Sequence, residues 1–237
     1  MTTERDTSFP NLDETVVATA RFIEGISGLR DEDVRAPSLL PGWTRGHVIT
    51  HVSRNADALS NVLHGAQAGE VRPMYESQEQ RDADIEAGAG RSAAELLSDA
   101  TAAAGRWHQA ANELHSANLE NPMARVADGP TQPVRRVGRM RRTEVEVHHA
   151  DLGIGYTAAD WPADFVSALM KRRHRELETA GVGLSWRATD TGETWTTGDG
   201  PEVTGTAADL VWWLLGRGAG DALACSDGRL PELGRWA

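Results

Sequence analysis

Two residues of the segment 141–151, Glu144 and His148, have the chemistry and the spacing needed to bind a metal ion together. If the segment is helical, side chains four residues apart lie on the same face, one turn above the other. A carboxylate and an imidazole in that arrangement can share one cation. His51, far upstream, is a candidate for a third ligand. Two histidines and one carboxylate leave a coordination position open, as in catalytic zinc sites.

Neighbouring residues leave other ligand sets open. His47 and His51 are also four residues apart and could together bind one metal ion. Glu146 and His149 adjoin the first pair, but helical spacing points them to other faces. Asp151 lies three residues after the second histidine of the pair, where its carboxylate could accept a hydrogen bond from the ring and fix its tautomer.

Composition limits the class of protein. The chain has 237 residues, enough for one large domain or two modest ones, and its formal net charge of −11 argues against nucleic-acid binding. Cys225 is the only cysteine, so an intrachain disulfide and a cysteine-rich zinc module are both excluded. We expect a structural role for Cys225, in a short strand. The polar segment 1–6 and the lack of a long apolar run predict a cytoplasmic protein without a membrane span.

Apolar spacing predicts long helices in the first two thirds of the chain, with Thr44 and Ser92 as N-caps of two of them. The predicted helices cover about 12–28, 45–66, 77–87, 93–115 and 134–151. Beyond residue 153 the pattern changes to helices at 162–180 and 206–215 and short strands at 184–188, 194–197 and 202–205. The sequence therefore predicts a helical bundle followed by a smaller α+β domain. In such a bundle, facing helices bring side chains together in a core where metal sites are commonly built.

Four runs resemble, in order and with similar spacing, the signatures of mycothiol-dependent maleylpyruvate isomerases. They are 39–56 with its Pro-Gly-Trp turn, 73–75 followed by Arg81, 140–153, and 215–218. The resemblance covers nearly the whole chain. It implies an α+β protein in which a DinB-like four-helix bundle (1–155) precedes a C-terminal α+β domain (156–237).

The same resemblance implies the site and the reaction. The metal ligands would be His51, Glu144 and His148, with zinc as the divalent metal. Arg217 would be the catalytic arginine of the C-terminal domain, and Arg81 is a second candidate for holding the anionic substrate. The implied reaction converts maleylpyruvate, a cis dicarboxylate, to trans fumarylpyruvate, with the thiol of mycothiol adding to the alkene and leaving after rotation.

Two other functions stay open on the sequence. The metal triad and the Pro-Gly-Trp turn are shared by a wider superfamily of thiol-using bundle enzymes, so a mycothiol S-transferase acting on another electrophile is the alternative. A metal-binding bundle with a regulatory surface is a third reading. One run is unusually basic and is either a solvated helix face or an anion-binding patch, namely Arg135, Arg136, Arg139, Arg141 and Arg142.

Overall fold

A computed structural model describes residues 9–218 and 222–233. The polar segment 1–6 lies outside the described residues. The chain divides after Ile154 into two compact units, which are described separately. The predicted order, a helical bundle and then a smaller unit of helices and short strands, is confirmed.

The N-terminal unit consists mainly of helices that pack side by side. Helix α3 packs against α4, α5 and α6, and α1 packs against α5 and α6. The helices are α1 (Leu12–Ser27), α2 (Asp31–Arg35), α3 (Arg45–Ala68), α4 (Gln78–Ala89), α5 (Ala93–Glu113) and α6 (Val137–Asp151). Single 3-10 turns cover Ser116–Asn118 and Val134–Arg136.

Helix α3 is the central element, and local chemistry fixes both of its ends. The hydroxyl of Thr44 accepts a hydrogen bond from the backbone N–H of His47, so the predicted N-cap is confirmed. Gly69 ends the helix at φ 74°, a left-handed conformation that suits glycine. Buried apolar residues on one side of α3, such as Leu59, pack with α5, while others, such as Val48, pack with α1 and α6.

A small sheet in this unit was not predicted. Strands β1 (Pro73–Tyr75), β2 (Pro122–Val126) and β3 (Thr131–Pro133) form it in the order β1-β2-β3, with β1 parallel to β2. The sequence analysis predicted no strand before residue 153 and therefore missed all three. Each strand is short, and β1 pairs with a segment about fifty residues away, so no local periodicity signals it.

The C-terminal unit combines helices α7 (Ala163–Thr179) and α8 (Ala207–Leu214), and a 3-10 turn at Ala158–Asp160, with a four-stranded sheet. The sheet order is β5-β4-β6-β7, with strands β4 (Ser185–Ala188), β5 (Thr194–Thr196), β6 (Glu202–Gly205) and β7 (Ala224–Cys225). The predicted short strand at Cys225 is confirmed, and it pairs antiparallel with β6. In both described ranges, no helix is long and apolar enough to cross a membrane.

Replacing Gly46 by alanine tests the close contact between the start of α3 and the end of α4. A Cβ at Gly46 would lie 2.2 Å from the carbonyl oxygen of Ala89, so the helices would have to separate. We expect Gly46→Ala to lower the free energy of unfolding by about 1–3 kcal/mol, the usual cost of overpacking. Urea denaturation of the full chain measures it.

Gly105→Ala is the matched control. Gly105 lies within α5, and a Cβ there would meet nothing within 4 Å. Alanine in a helix interior is favoured over glycine, so this variant should gain about 0.5–1 kcal/mol. A Gly46→Ala protein as stable as Gly105→Ala would contradict the contact.

Candidate metal centre

The three predicted ligands come together between α3 and α6. His51 lies on α3, and Glu144 and His148 lie one turn apart on α6. The Nε2 atoms of His51 and His148 are 2.9 and 3.3 Å from Oε2 of Glu144. One potential ligand atom from each residue lies within 4.8 Å of the others. Both histidines are buried, and the carboxylate is partly exposed.

Asp151 forms a hydrogen bond with the ring nitrogen of His148 that faces away from the cluster. The Oδ2 atom of Asp151 is 2.8 Å from Nδ1 of His148, and Asp151 is fully buried. A carboxylate accepts the hydrogen bond, so Nδ1 carries the proton and Nε2 faces the cluster. The contact predicted between these two residues is therefore present.

The electrostatics of the cluster favour an ionised carboxylate. Burial opposes ionisation of Glu144, but hydrogen bonds from His148 and His51 hold its pKa well below the usual range. Burial lowers the pKa of His51 to about 4. Burial also acts against protonation of His148, but hydrogen bonds to Asp151 and Glu144 outweigh it and raise that pKa to about 9. A negative oxygen between two imidazoles is a suitable donor set for a divalent cation.

The other histidines and acids near the pair belong to different contacts. The ring of His47 contacts the hydroxyl of Thr44 and Oε2 of Glu86, at 2.7 and 3.1 Å. On the opposite face of α6, Glu146 forms an ion pair with Arg21 at 3.5 Å. His149 packs edge-on against Phe22 of α1. These alternatives from the sequence therefore do not join the cluster.

Arg81, predicted as a site residue, lies against the cluster. Its Nη2 is 3.2 Å from Nδ1 of His51, and its Nη1 is 2.6 Å from Oδ1 of Asp82. Its guanidinium carbon is 5.9 Å from the centre of the Tyr75 ring. Trp43 packs edge-on against His51, with ring centres 5.7 Å apart. The structure thus places the guanidinium of Arg81 and the indole of Trp43 at the edge of the triad, with the Tyr75 ring beside the guanidinium.

Sequence reasoning gave Asn55 no role and considered Arg141 only as part of the basic run. Arg141, one turn before Glu144, is almost fully buried, and its Nη1 donates to Oδ1 of Asn55 at 3.1 Å and to the carbonyl of Val52 at 2.6 Å. Asn55 lies one turn after His51 on α3. Helical spacing from the ligands was the signal that could have identified both residues.

The basic run does not form one surface. Arg135 and Arg136 bond to Glu120 and Gln132, whereas Arg141 and Arg142 are buried in the unit. The basic run is therefore neither one solvated helix face nor one anion-binding patch. Met74 of β1 is buried in the apolar core of α3 and α5.

Arg217 belongs to the C-terminal unit. It follows α8 between Gly216 and Gly218, which have φ 70° and 111°. Its Nη1 donates to the carbonyl oxygen of Leu215 at 3.2 Å. The catalytic role of Arg217 stays a prediction.

A helical bundle whose core holds two histidines and a carboxylate is typical of a metal-dependent enzyme. A protein-family model described as the mycothiol maleylpyruvate isomerase N-terminal domain matches residues 16–153, and one described as the MDMPI C-terminal domain matches 157–235. The chain belongs to the mycothiol maleylpyruvate isomerase family.

Two solved structures are similar over 95% of this chain and 95% of their own. One is a crystal structure of the mycothiol-dependent maleylpyruvate isomerase, with 30% sequence identity and a TM-score of 0.89. The other is a histidine-to-alanine mutant of the mycothiol-dependent maleylpyruvate isomerase, with 29% identity and a TM-score of 0.88. A search of curated protein sequences gave no match.

Asp151→Asn should lower the pKa of His148 in chelator-treated protein. The folded chain holds the His148 proton more tightly than the unfolded chain, because the folded pKa is about 9 against a usual 6.5. This contribution to stability is complete below the unfolded pKa and is lost as the pH rises through the folded pKa. The free energy of unfolding of the variant should therefore fall less than that of wild type as the pH rises from 6.5 to about 9.

NMR titration of the histidine rings measures the pKa, and urea midpoints at both ends of the range measure the stability. The histidines outside the cluster act as internal controls in the same spectra. An unchanged His148 pKa would show that the Asp151 carboxylate is not what raises it.

Proposed function

We propose that this chain is a metal- and mycothiol-dependent isomerase that converts maleylpyruvate to fumarylpyruvate in the cytoplasm. The observation that carries the proposal is the His51, Glu144 and His148 cluster, in a chain that matches the isomerase family over both units. The substrate is a small dicarboxylate, which agrees with the arginine held at the edge of the cluster.

The cluster residues fit a divalent cation, for which we propose zinc. Two imidazole nitrogens and a carboxylate oxygen are the donor set of many catalytic zinc sites and leave one position open. Asp151 fixes the His148 tautomer that leaves Nε2 available. A cation bound there would lower the pKa of a thiol at the open position and hold it as the thiolate.

Rotation about the alkene explains why a thiol is needed. A double bond cannot rotate until it becomes single, and addition of a thiolate to an alkene conjugated with a carbonyl does this reversibly. The chain itself offers one cysteine, Cys225, half-buried in the short strand β7. We therefore propose that the nucleophile is the low-molecular-weight thiol.

Arginines are suited to the negative charges of the substrate. A guanidinium binds a carboxylate with two parallel hydrogen bonds and stabilises the charge that develops on the carbonyl oxygen. Arg81 and Arg217 are our candidates for these roles. An arginine only donates, whereas a histidine bound to a cation through Nε2 carries a proton on Nδ1. With His51 as a ligand, we expect Arg81 to keep its contacts with Asp82 and Tyr75 and to release the imidazole.

Metal analysis tests the ligand set. His51→Ala and His148→Ala should each lose most of the one equivalent of zinc that we expect in wild type, because two remaining ligands bind weakly. The control is His47→Gln, one turn before His51 on α3, whose ring contacts Thr44 and Glu86 instead. Full zinc content in both alanine variants would show that these histidines are not metal ligands. Loss of zinc in His47→Gln would add His47 to the ligand set.

Activity assays test the thiol. The purified protein should isomerise maleylpyruvate only when mycothiol is added, and Cys225→Ser should retain nearly all of that activity. Activity without added thiol that disappears in Cys225→Ser would make the cysteine the nucleophile. Formation of a stable mycothiol adduct, without isomerisation, would favour an S-transferase.

A further inference from the structure

A second polar contact joins α3 to α6 one helical turn from the cluster. The Nη1 atom of Arg141 on α6 donates to the carbonyl oxygen of Val52 at 2.6 Å and to Oδ1 of Asn55 at 3.1 Å, and both acceptors lie on α3. The side chains of Arg141 and Asn55 are almost fully buried. The proposed function assigns no role to this contact.

The two polar contacts between α3 and α6 are related by helical spacing. Asn55 follows His51 by four residues on α3, whereas Arg141 precedes Glu144 by three residues on α6. Residues three or four apart lie on the same helix face, so both contacts lie along one line between the helices. The order is reversed on α6, so the helices run antiparallel here. Joined at two points about 5.4 Å apart, they can neither slide nor pivot without breaking a contact.

Apolar packing alone would define this register less well. Buried valines of both helices, such as Val48 of α3 and Val145 of α6, belong to one apolar cluster. The hydrophobic effect is non-directional, so such surfaces tolerate small shifts. Hydrogen bonds from a guanidinium are directional and end on fixed acceptors of α3. A zinc site needs that precision, because its bonds to nitrogen and oxygen are about 2.0–2.2 Å long and vary little.

We infer that Arg141 is a positioning residue of the metal centre, which fixes the register of α3 and α6 so that His51 and Glu144 stay at the separation that a bound cation needs. This inference rests on the proposed metal site. Arg141 is not itself a ligand, and it acts through the backbone and the Asn55 side chain of α3. Its contacts hold the ligand set in place before the cation binds, which reduces the conformational entropy lost on binding.

Arg141→Met removes the donor and keeps an unbranched side chain. Zinc affinity, measured on the full chain against a competing chelator, should fall at least about tenfold, because binding must then also order the two helices. The melting temperature should stay level or rise, because an apolar side chain in place of a buried charge is often stabilising. The d–d absorption of the cobalt-substituted protein should change, since it reports the ligand geometry. Zinc binding as tight as in wild type would overturn the inference, and tighter binding would show that the cation responds to the charge of Arg141 and not to its hydrogen bonds.

The double variant Arg141→Met with Asn55→Leu shows whether the two side chains act through their contact. Replacing both partners of a buried hydrogen bond by apolar groups is nearly neutral for stability, so this variant should fold. Groups that act through one contact are not additive, so zinc affinity should fall no more than about twofold below that of Arg141→Met alone. A larger further loss would contradict the inference, because Asn55 would then act on the site without Arg141.

Arg54→Met is the matched control. Arg54 also lies on α3, three residues after His51, but its Nη2 donates to both carboxylate oxygens of Asp99 on α5, at 2.6 and 2.8 Å. The control loses the same charge and keeps the contact with α6, so its zinc affinity should stay within about twofold of wild type. A loss equal to that of Arg141→Met would refute a specific role for Arg141.

The wild-type protein keeps this test separate from the proposed function. A wild type that binds no zinc refutes the metal centre itself. A wild type that binds zinc, with an Arg141→Met protein that binds it equally well, refutes only the role of Arg141.

Discussion

The Glu144 carboxylate, held between two helices, is the constraint on which the arrangement of the N-terminal unit depends. A carboxylate packed between helices loses part of its hydration even when it is partly exposed, and other groups must compensate that loss. Here the imidazoles of His51 and His148 lie 2.9 and 3.3 Å from the same oxygen. Because one imidazole comes from α3 and the other from α6, the compensation exists only in one register of the two helices.

That register has further consequences along both helices. Asn55 lies one turn beyond His51 on α3, and Arg141 lies one turn before Glu144 on α6, so the register that forms the cluster also joins this second pair. Apolar packing continues on either side, through Leu59 with α5 and Val48 with α1. The polar layer thus lies between two apolar clusters, which lower the local dielectric and strengthen its electrostatic interactions.

The sequence was sufficient for the parts that depend on local spacing. Glu144 and His148 are a helical pair, Thr44 is a local cap, and the signatures of the family selected His51 among the other candidate ligands. The β1 strand could not be predicted, because three residues carry no period and their partner strand is distant in the chain. The resemblance made Arg81 a candidate for holding the substrate but did not predict its contact with His51, which depends on how α4 returns to α3. Asn55 was given no role and Arg141 was considered only as part of the basic run, because helical spacing places each of them one turn from a ligand without showing that their side chains meet.

Arg141 shows best that this interior is arranged for more than stability. Burial lowers its pKa to about 10, so it remains charged at neutral pH, and its Nε has no hydrogen-bond partner among the described residues. A buried charge that is incompletely bonded destabilises a fold, and an apolar side chain of similar size is often the more stable choice. What Arg141 gives in return is a link between the two helices, because its Nη1 donates both to the carbonyl of Val52 and to the amide oxygen of Asn55 on α3. Arg141 lies one turn from Glu144 and bonds to the helix that carries His51, so its cost to stability is understandable if it fixes the register of α3 and α6 that brings the ligands together.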